Sequence, residues 1–506
     1  MRAKIVWTVI FIIGLGVRST ELFHPIDTNS WRESDISSIA RNYYRNGMDF
    51  FHPQIDWGGK GPGYTESEFP FYPYLIALSY KLFGLWEPAG RIISLMFSLG
   101  SMIIFFGLSR YLFNTKTAIA VSFFFALSPI LMVTSISIQP ESVMFFFYVL
   151  AAYSFIHWID NQSKKYYILT FIFTALTLLC KIPAINIGIF FVLIIIFKKG
   201  WSFLLKPKVI ILGVLSVIPA IIWYSYSHRF YTLYGNSLGF SNEYAWVGWD
   251  FFTNPFFIKG IIFKELLNVW TYSGPLIVIL ALVSTEIIKI KSILFPVCWL
   301  LSAIMFYFIT ARTTADDWAF YYHIFSIPSA SMLLGLSVIE IYDKYFPMIK
   351  LRFRPSSDIS NYAKSWLIIP FLFFLVSFYT VSSLKYLILT KPTVFKTSKF
   401  YACKNSLSVL IPQGSLILAT GGPRWDNDNY PLAINTPYFF FWLDRKGYNI
   451  SVEDQSIDNV IAFKDKGAKF YIAEVRAMQR KKGFEDLMRI DFKVLLECNG
   501  IILFKL

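Results

Sequence analysis

The 506-residue chain is 55% hydrophobic and 16% charged, with a mean hydropathy of +0.51, a balance that excludes a soluble enzyme with an oily core. Its 52 Phe and 30 Tyr suit lipid-facing surfaces, and charge-free runs such as 184–197 (AINIGIFFVLIIIF) and 209–225 (VIILGVLSVIPAIIWYS) approach the ~20 residues that cross a bilayer. The formal charge of +15 does not indicate nucleic acid, because the basic residues flank the apolar runs instead of forming one patch.

In chain order, the N-terminus MRAKIVWTVIFIIGLGVRST begins basic and then apolar, like a secretory signal. No small-x-small cleavage site follows and Arg18 stands in its place, so this is read as a retained first span. Spans are predicted at about 4–17, 91–112, 117–135, 142–159, 166–180, 183–197, 209–226, 274–288, 292–310, 324–342 and 365–385. Arg110 with Lys116, Lys164 with Lys165, Lys198 to Lys208, Lys289 with Lys291, and the 344–364 segment fall in alternate loops. This positive-inside pattern places them in the cytoplasm together with Arg2 and Lys4. The segment 69–85 (FPFYPYLIALSYKLFGL) is apolar but short, contains Pro70, Pro73 and Lys81, and would invert every later loop if it spanned. It is predicted to lie at the membrane surface. About eleven transmembrane helices follow, with the N-terminus cytoplasmic and the C-terminus outside a cell (inner or plasma) membrane.

Three outer pieces result, at 18–90, about 227–273 and about 386–506. In the last, charge rises and strand-like stretches appear at 415–420, 469–474, 492–498 and 501–506, with helices predicted at 457–466 and 474–489. The fold class is therefore an α-helical polytopic membrane protein, with a membrane domain over 1–385 and a small extracytoplasmic α/β domain over 386–506. Cys180 and Cys298 lie in apolar runs and read as packing residues, whereas Cys403 and Cys498 are free to pair if the tail is extracytoplasmic.

The first outer loop is too rich in polar residues for a connector. Ser34 or Asp35 can cap a helix whose Ile36, Ile39, Tyr43 and Gly47 share a face, and Asp27, Arg32 and Asp35 cluster at its start. Glu66 and Glu68 precede the surface helix, where they also complement a helix N-terminus, and Glu141 sits at an outer turn. Lys181 interrupts an apolar stretch on the outer side, where it either snorkels or meets an anion such as a lipid phosphate. His228 with Arg229, and RTTADDWAFYYH with Arg312, Tyr321, Tyr322 and His323, add outer polar groups. GGKGPG at 58–63 lacks the following Ser/Thr of a phosphate loop, and no metal-spaced His/Cys cluster appears.

WRESDISSIARNYYRNG, PQID and TESEFPFYPYL, supported by SIQPES, LLCKIPA and AFYYHIFSIPSA, resemble the polytopic C-type glycosyltransferases. The similarity is to protein O-mannosyltransferases, lipid A aminoarabinose transferases and a bacterial family 39-like branch, over about 1–345. The resemblance implies a polyprenyl-phosphate-linked sugar as donor, inversion at the anomeric centre, and a first-loop acid as base, here Asp35 or Asp27. The adjacent Asp-Glu pair of several relatives is replaced by Glu33 and Asp35 around Ser34. Arg32, Glu66, Glu68, Glu141, Lys181, Arg229, Tyr322 and His323 are the candidate substrate-binding residues. The implied enzyme is a hexosyl- or pentosyltransferase acting at the outer face on a lipid, glycan or protein acceptor, needing no cofactor, a divalent metal being possible but not required. A lipid-linked glycan flippase or an O-antigen-type polymerase or ligase are the alternatives, the first requiring polar breaks at mid-membrane in two related halves.

Overall fold

The computed structural model of the protein describes residues 2–241, 247, 254–287, 291–350, 359–426, 429 and 431–506. Helices dominate as far as Val394, and a five-stranded sheet lies beyond them. Seven described helices are long and apolar enough to cross a bilayer: Ala89–Leu112, Glu141–Asn161, Ile182–Lys199, Pro207–Tyr234, Lys291–Ile309, Ala319–Ile349 and Ala363–Leu389. The pair Pro255–Val269 and Gly274–Ser284, bent by 86° at its break, gives an eighth crossing if it counts as one.

The difference from eleven expected spans lies in helix length. The runs at 4–17 and 166–180 form helices Arg2–Arg18 and Lys164–Cys180, each of 17 residues. The run at 117–135 is cut into Thr115–Ala126 and Pro129–Thr134, because Pro129 lacks an amide donor and holds Ser128 extended. At 1.5 Å per residue, 17 residues reach roughly 25 Å, the short end of the ~17–25 residues that cross a bilayer, and the broken run reaches a similar length only as the sum of its two helices. The outer segment 227–273 is also more helical than a loop. The helix Pro207–Tyr234 continues into it, and Asn254 caps a further helix whose first residue, Pro255, has no amide donor to lose.

The basic connections gather at one end of the bundle. Lys116 pairs with Asp343, Lys198 with Asp160 and Lys208 with Gln162, and Lys344 donates to the Ser284 carbonyl at 2.7 Å. Lys289 and residues 351–358 lie outside the described residues. At the opposite end, Glu33 of the first loop accepts from the Ile138 amide, Phe69 donates to the Leu179 carbonyl, and Asp27 meets Thr397. The segment 69–85 forms one 13-residue helix, Phe71–Phe83, which buries Tyr72, Ile76, Ala77 and Tyr80 and exposes Leu78, Leu82 and Phe83. It packs on the helix Trp31–Arg45, with Tyr43 and Tyr74 edge to face at 5.4 Å.

The tail sheet is built from β1 (Leu416–Thr420), β2 (Gly447–Ile450), β3 (Ala468–Glu474), β4 (Lys493–Cys498) and β5 (Ile501–Lys505), in the order β2-β1-β3-β5-β4. β1 runs parallel to β2 and β3, and β5 is antiparallel to β3 and β4. Four strands match the apolar stretches of the sequence. The four residues of β2 are too few to display an alternation. The helix expected over 474–489 is two, Val475–Met478 and Phe484–Asp491, because Gly483 turns the chain at φ +77°.

Cys403 and Cys498 form a disulfide that ties the start of the tail to β4 across 95 residues, while Cys180 and Cys298 are buried and free. Loop-closure entropy for a link of this length is worth about 4–5 kcal/mol. Cys403→Ser is accordingly expected to speed hydrogen exchange of the β1 and β3 amides strongly. Unchanged protection in the full-length variant would show that the cross-link contributes nothing.

The tail does not stand apart from the membrane part. Ile39, Tyr43, Ile55, Trp57 and Ala77 of the first loop share one buried cluster with Phe400, Leu407, Phe439, Leu443 and Ile472. The first loop is thus clamped between the bundle and the tail.

Candidate active site

The helix Trp31–Arg45 begins earlier than its sequence suggests. Ser30, not Ser34 or Asp35, is its N-cap, its hydroxyl accepting from the Glu33 amide at 3.3 Å. Asp35 therefore sits in the second turn and is freed from capping. It is completely buried, its Oδ1 accepts from Trp57 Nε1 at 2.9 Å, and its Oδ2 has no hydrogen-bond partner among the described residues. Burial pushes the Asp35 carboxyl up to about 7, with Trp57 and Arg32 pulling it back and Asp56 and Glu68 adding to the rise. Its neighbour Glu33 is structural, held by Arg91 at 3.0 Å and by the Ile138 amide at 2.9 Å.

Two ion pairs surround Arg32, whose charge also reaches Asp35. Arg32 reaches both oxygens of Glu68 at 3.2 Å, a bidentate geometry that fixes the guanidinium. Lys181, expected to snorkel or find an anion, is buried against Glu141, with its ammonium 4.9 Å from the ring centres of both Tyr321 and Tyr322. The pairs sense each other's charge. Burial works against the Arg32 cation, but Glu68, Tyr321, Glu141 and Tyr322 outweigh it and hold its pKa above the usual guanidinium value. The second oxygen of Glu141, like that of Asp35, has no partner among the described residues.

The remaining candidates are placed elsewhere. Asp27 is an anchor: one carboxylate oxygen accepts from Thr397 at 2.8 Å and its carbonyl accepts from the Ser398 amide at 2.9 Å, while its other oxygen, 3.5 Å from His24, has no hydrogen-bond partner among the described residues. Glu66 stitches the first loop to the second outer segment, accepting from Ser237 at 2.6 Å and Ser241 at 2.9 Å and facing His228 at 3.0 Å. Arg229 lies on the exposed face of its helix, 5.8 Å from the Tyr226 ring, and does not join the ion-pair cluster. His323 is buried, with Nδ1 2.6 Å from Glu265 and Nε2 2.8 Å from the Thr314 carbonyl. Trp57 and Glu265 are contacts that the sequence does not single out. Trp57 has a faint signal in the polar run QIDWGG, and Glu265 is one acid in an otherwise ordinary segment.

An apolar cavity of about 650 Å³ adjoins the cluster, lined by Phe51, Phe69, Leu179, Ile222, Trp223 and Tyr226. Phe69 follows Glu68 directly, and its amide donates to the carbonyl of Leu179, two residues before Lys181. The glycine run at 58–63 serves packing against the tail. Gly59, at φ +77°, donates to the Gly447 carbonyl at 2.7 Å, and a Cβ there would meet the Tyr448 ring at 2.3 Å. Among the described residues, no group of three or more His, Cys, Asp or Glu is placed to hold a metal ion.

Residues 65–224 match the family model described as dolichyl-phosphate-mannose-protein mannosyltransferase. That stretch contains Glu66, Glu68, Glu141 and Lys181 and begins after both candidate aspartates. No curated protein matches the chain by sequence. Among solved structures, ArnT from Cupriavidus metallidurans in the apo state superposes with a TM-score of 0.64 at 14% identity, over 98% of this chain and 97% of that one. The same protein bound to undecaprenyl phosphate gives 0.63 at 13% identity, over 99% and 97%. The Archaeoglobus fulgidus oligosaccharyltransferase tethered to an acceptor peptide gives 0.53 at 10% identity, over 94% and 69%. The shared architecture runs from the first helix through the tail, and the chain has the fold of the polytopic C-type glycosyltransferases.

Proposed function

We propose that the protein is a membrane glycosyltransferase that moves a sugar from a polyprenyl-phosphate carrier to an acceptor hydroxyl at the extracytoplasmic face. The observation that carries this reading is Asp35, a buried carboxylate with one unpaired oxygen in the field of the Arg32–Glu68 pair, which in turn neighbours the Lys181–Glu141 pair. The adjoining apolar cavity offers a place for the proximal isoprenes of the carrier. The structure of ArnT with undecaprenyl phosphate supports a lipid-linked donor for a chain of the same fold. The tail's disulfide is consistent with an oxidising, extracytoplasmic compartment.

In this mechanism, Asp35 takes the proton of the acceptor hydroxyl as that oxygen attacks the anomeric carbon. The bond from that carbon to the phosphate oxygen breaks, and the phosphate leaves on its polyprenyl chain. Attack from the side opposite the phosphate inverts the centre. Arg32 and Lys181 stabilise the negative charge that develops on the leaving phosphate, in a site where burial strengthens their field. Asp27, engaged with Thr397 and the tail, positions the first loop and takes no proton.

The test is transfer by the purified full-length protein from radiolabelled polyprenyl-phosphate sugars to candidate acceptors. Asp35→Ala is expected to abolish transfer, while Asp27→Ala retains catalysis in whatever fraction remains folded. Wild-type turnover by Asp35→Ala would sink the assignment.

A further inference from the structure

A cleft of about 360 Å³ opens where the first loop, the end of the helix Pro207–Tyr234 and the tail meet. Trp57, Tyr231 and Tyr234 give it aromatic surface, and Asn435 and Asn449 of the tail give it carboxamides. The Nδ2 groups of both asparagines are buried and donate to nothing among the described residues. Asn449 is held in orientation, its Oδ1 accepting from the Thr436 hydroxyl at 2.8 Å and the Thr436 amide at 3.3 Å. Buried donors are usually paired in folded proteins, and a hydroxyl seated in this cleft would give these two an acceptor. The cleft is also close to electrically neutral. Among the described lining residues the ionised side chain is Arg424, and its guanidinium is engaged by Asp454.

We infer that this cleft is an acceptor subsite and that the acceptor is an uncharged saccharide; the inference rests on the transfer reading above. Flat aromatic faces stack on the C–H faces of pyranose rings while unpaired carboxamide donors take their hydroxyls. A wall without an unpaired cation gives a phosphate or carboxylate no compensation for its lost water. Trp57 joins the cleft to the chemistry, because this residue of the cleft wall donates its indole N–H to Asp35 at 2.9 Å. A saccharide seated on Trp57 is therefore one side chain from the proposed base. The arrangement also explains why the tail is clamped to the first loop: each contributes part of the wall.

The experiment is binding of full-length protein in detergent, without donor, to an array of neutral, uronic-acid-containing and phosphorylated oligosaccharides and of unglycosylated peptides. Neutral oligosaccharides are expected to bind. Tyr234→Ala, at an exposed position, and Asn435→Ala are each expected to weaken that binding about tenfold with unchanged thermal unfolding, one lost contact being worth about that much. Binding confined to acidic glycans or peptides, no binding at all, or neutral binding unmoved by both variants overturns the inference. Polyprenyl-phosphate binding, measured separately, distinguishes the two readings: its absence refutes the transfer proposal and leaves the saccharide result standing.

Discussion

Asp35→Asn is expected to lower the rate of glycosyl transfer by about 10²- to 10⁴-fold, the usual worth of a positioned general base, with donor affinity changed only a few-fold. The variant keeps the oxygen that accepts from Trp57 and removes the carboxylate that would take the acceptor's proton. The wild-type rate is expected to rise with pH through about 7, where burial has placed the Asp35 carboxyl, and to level off above it. Stability moves the opposite way. This carboxyl lies above its unfolded value of 3.8, so between that pH and about 7 the native chain holds a proton that the unfolded chain has released. Its stabilising contribution is complete below pH 3.8 and is lost as pH rises through about 7. Rate profiles and melting curves of the two proteins from pH 5 to pH 9 check both signs. A variant whose melting temperature falls with pH as steeply as the wild type's would show that Asp35 does not carry this titration.

The second large effect is expected at Lys181. Lys181→Ala strands Glu141 as a buried, uncompensated carboxylate, and breaking such a pair costs about 3–5 kcal/mol. Loss of transfer in this variant alone therefore says little, since unfolding produces it too. The informative protein is Lys181→Met combined with Glu141→Gln, which removes both charges at similar volume. Its melting temperature is expected to recover most of the way to wild type while transfer stays lost, because the leaving phosphate still lacks its cation. A recovered fold with recovered turnover would reassign Lys181 to structure.

The sequence by itself determined the class of the molecule and which of its connections share an end of the bundle. Apolar run length requires a bilayer, short apolar stretches announce β1, β3, β4 and β5, and the basic connections that gather at one end of the bundle are those that the positive-inside pattern groups. These signals are local: each is written within one segment by its own neighbours. The site is not local. Glu141 and Lys181 are 40 residues apart, Trp57 lies 22 residues from Asp35, and Asp27 meets Thr397 across 370. Nothing in a single segment says which acid pairs with which base, so tertiary structure alone gave two equivalent-looking aspartates different surroundings. Both are buried with one oxygen unpaired, but Asp27 is anchored to the tail through Thr397, whereas starting the helix at Ser30 freed Asp35 from capping and set it against Trp57. The same holds for the glycine run at 58–63, whose reason is the approach of Tyr448 and Gly447 from the far end of the chain. Composition decides where a segment partitions between water and lipid; which buried polar groups satisfy one another is decided only when distant segments are packed together.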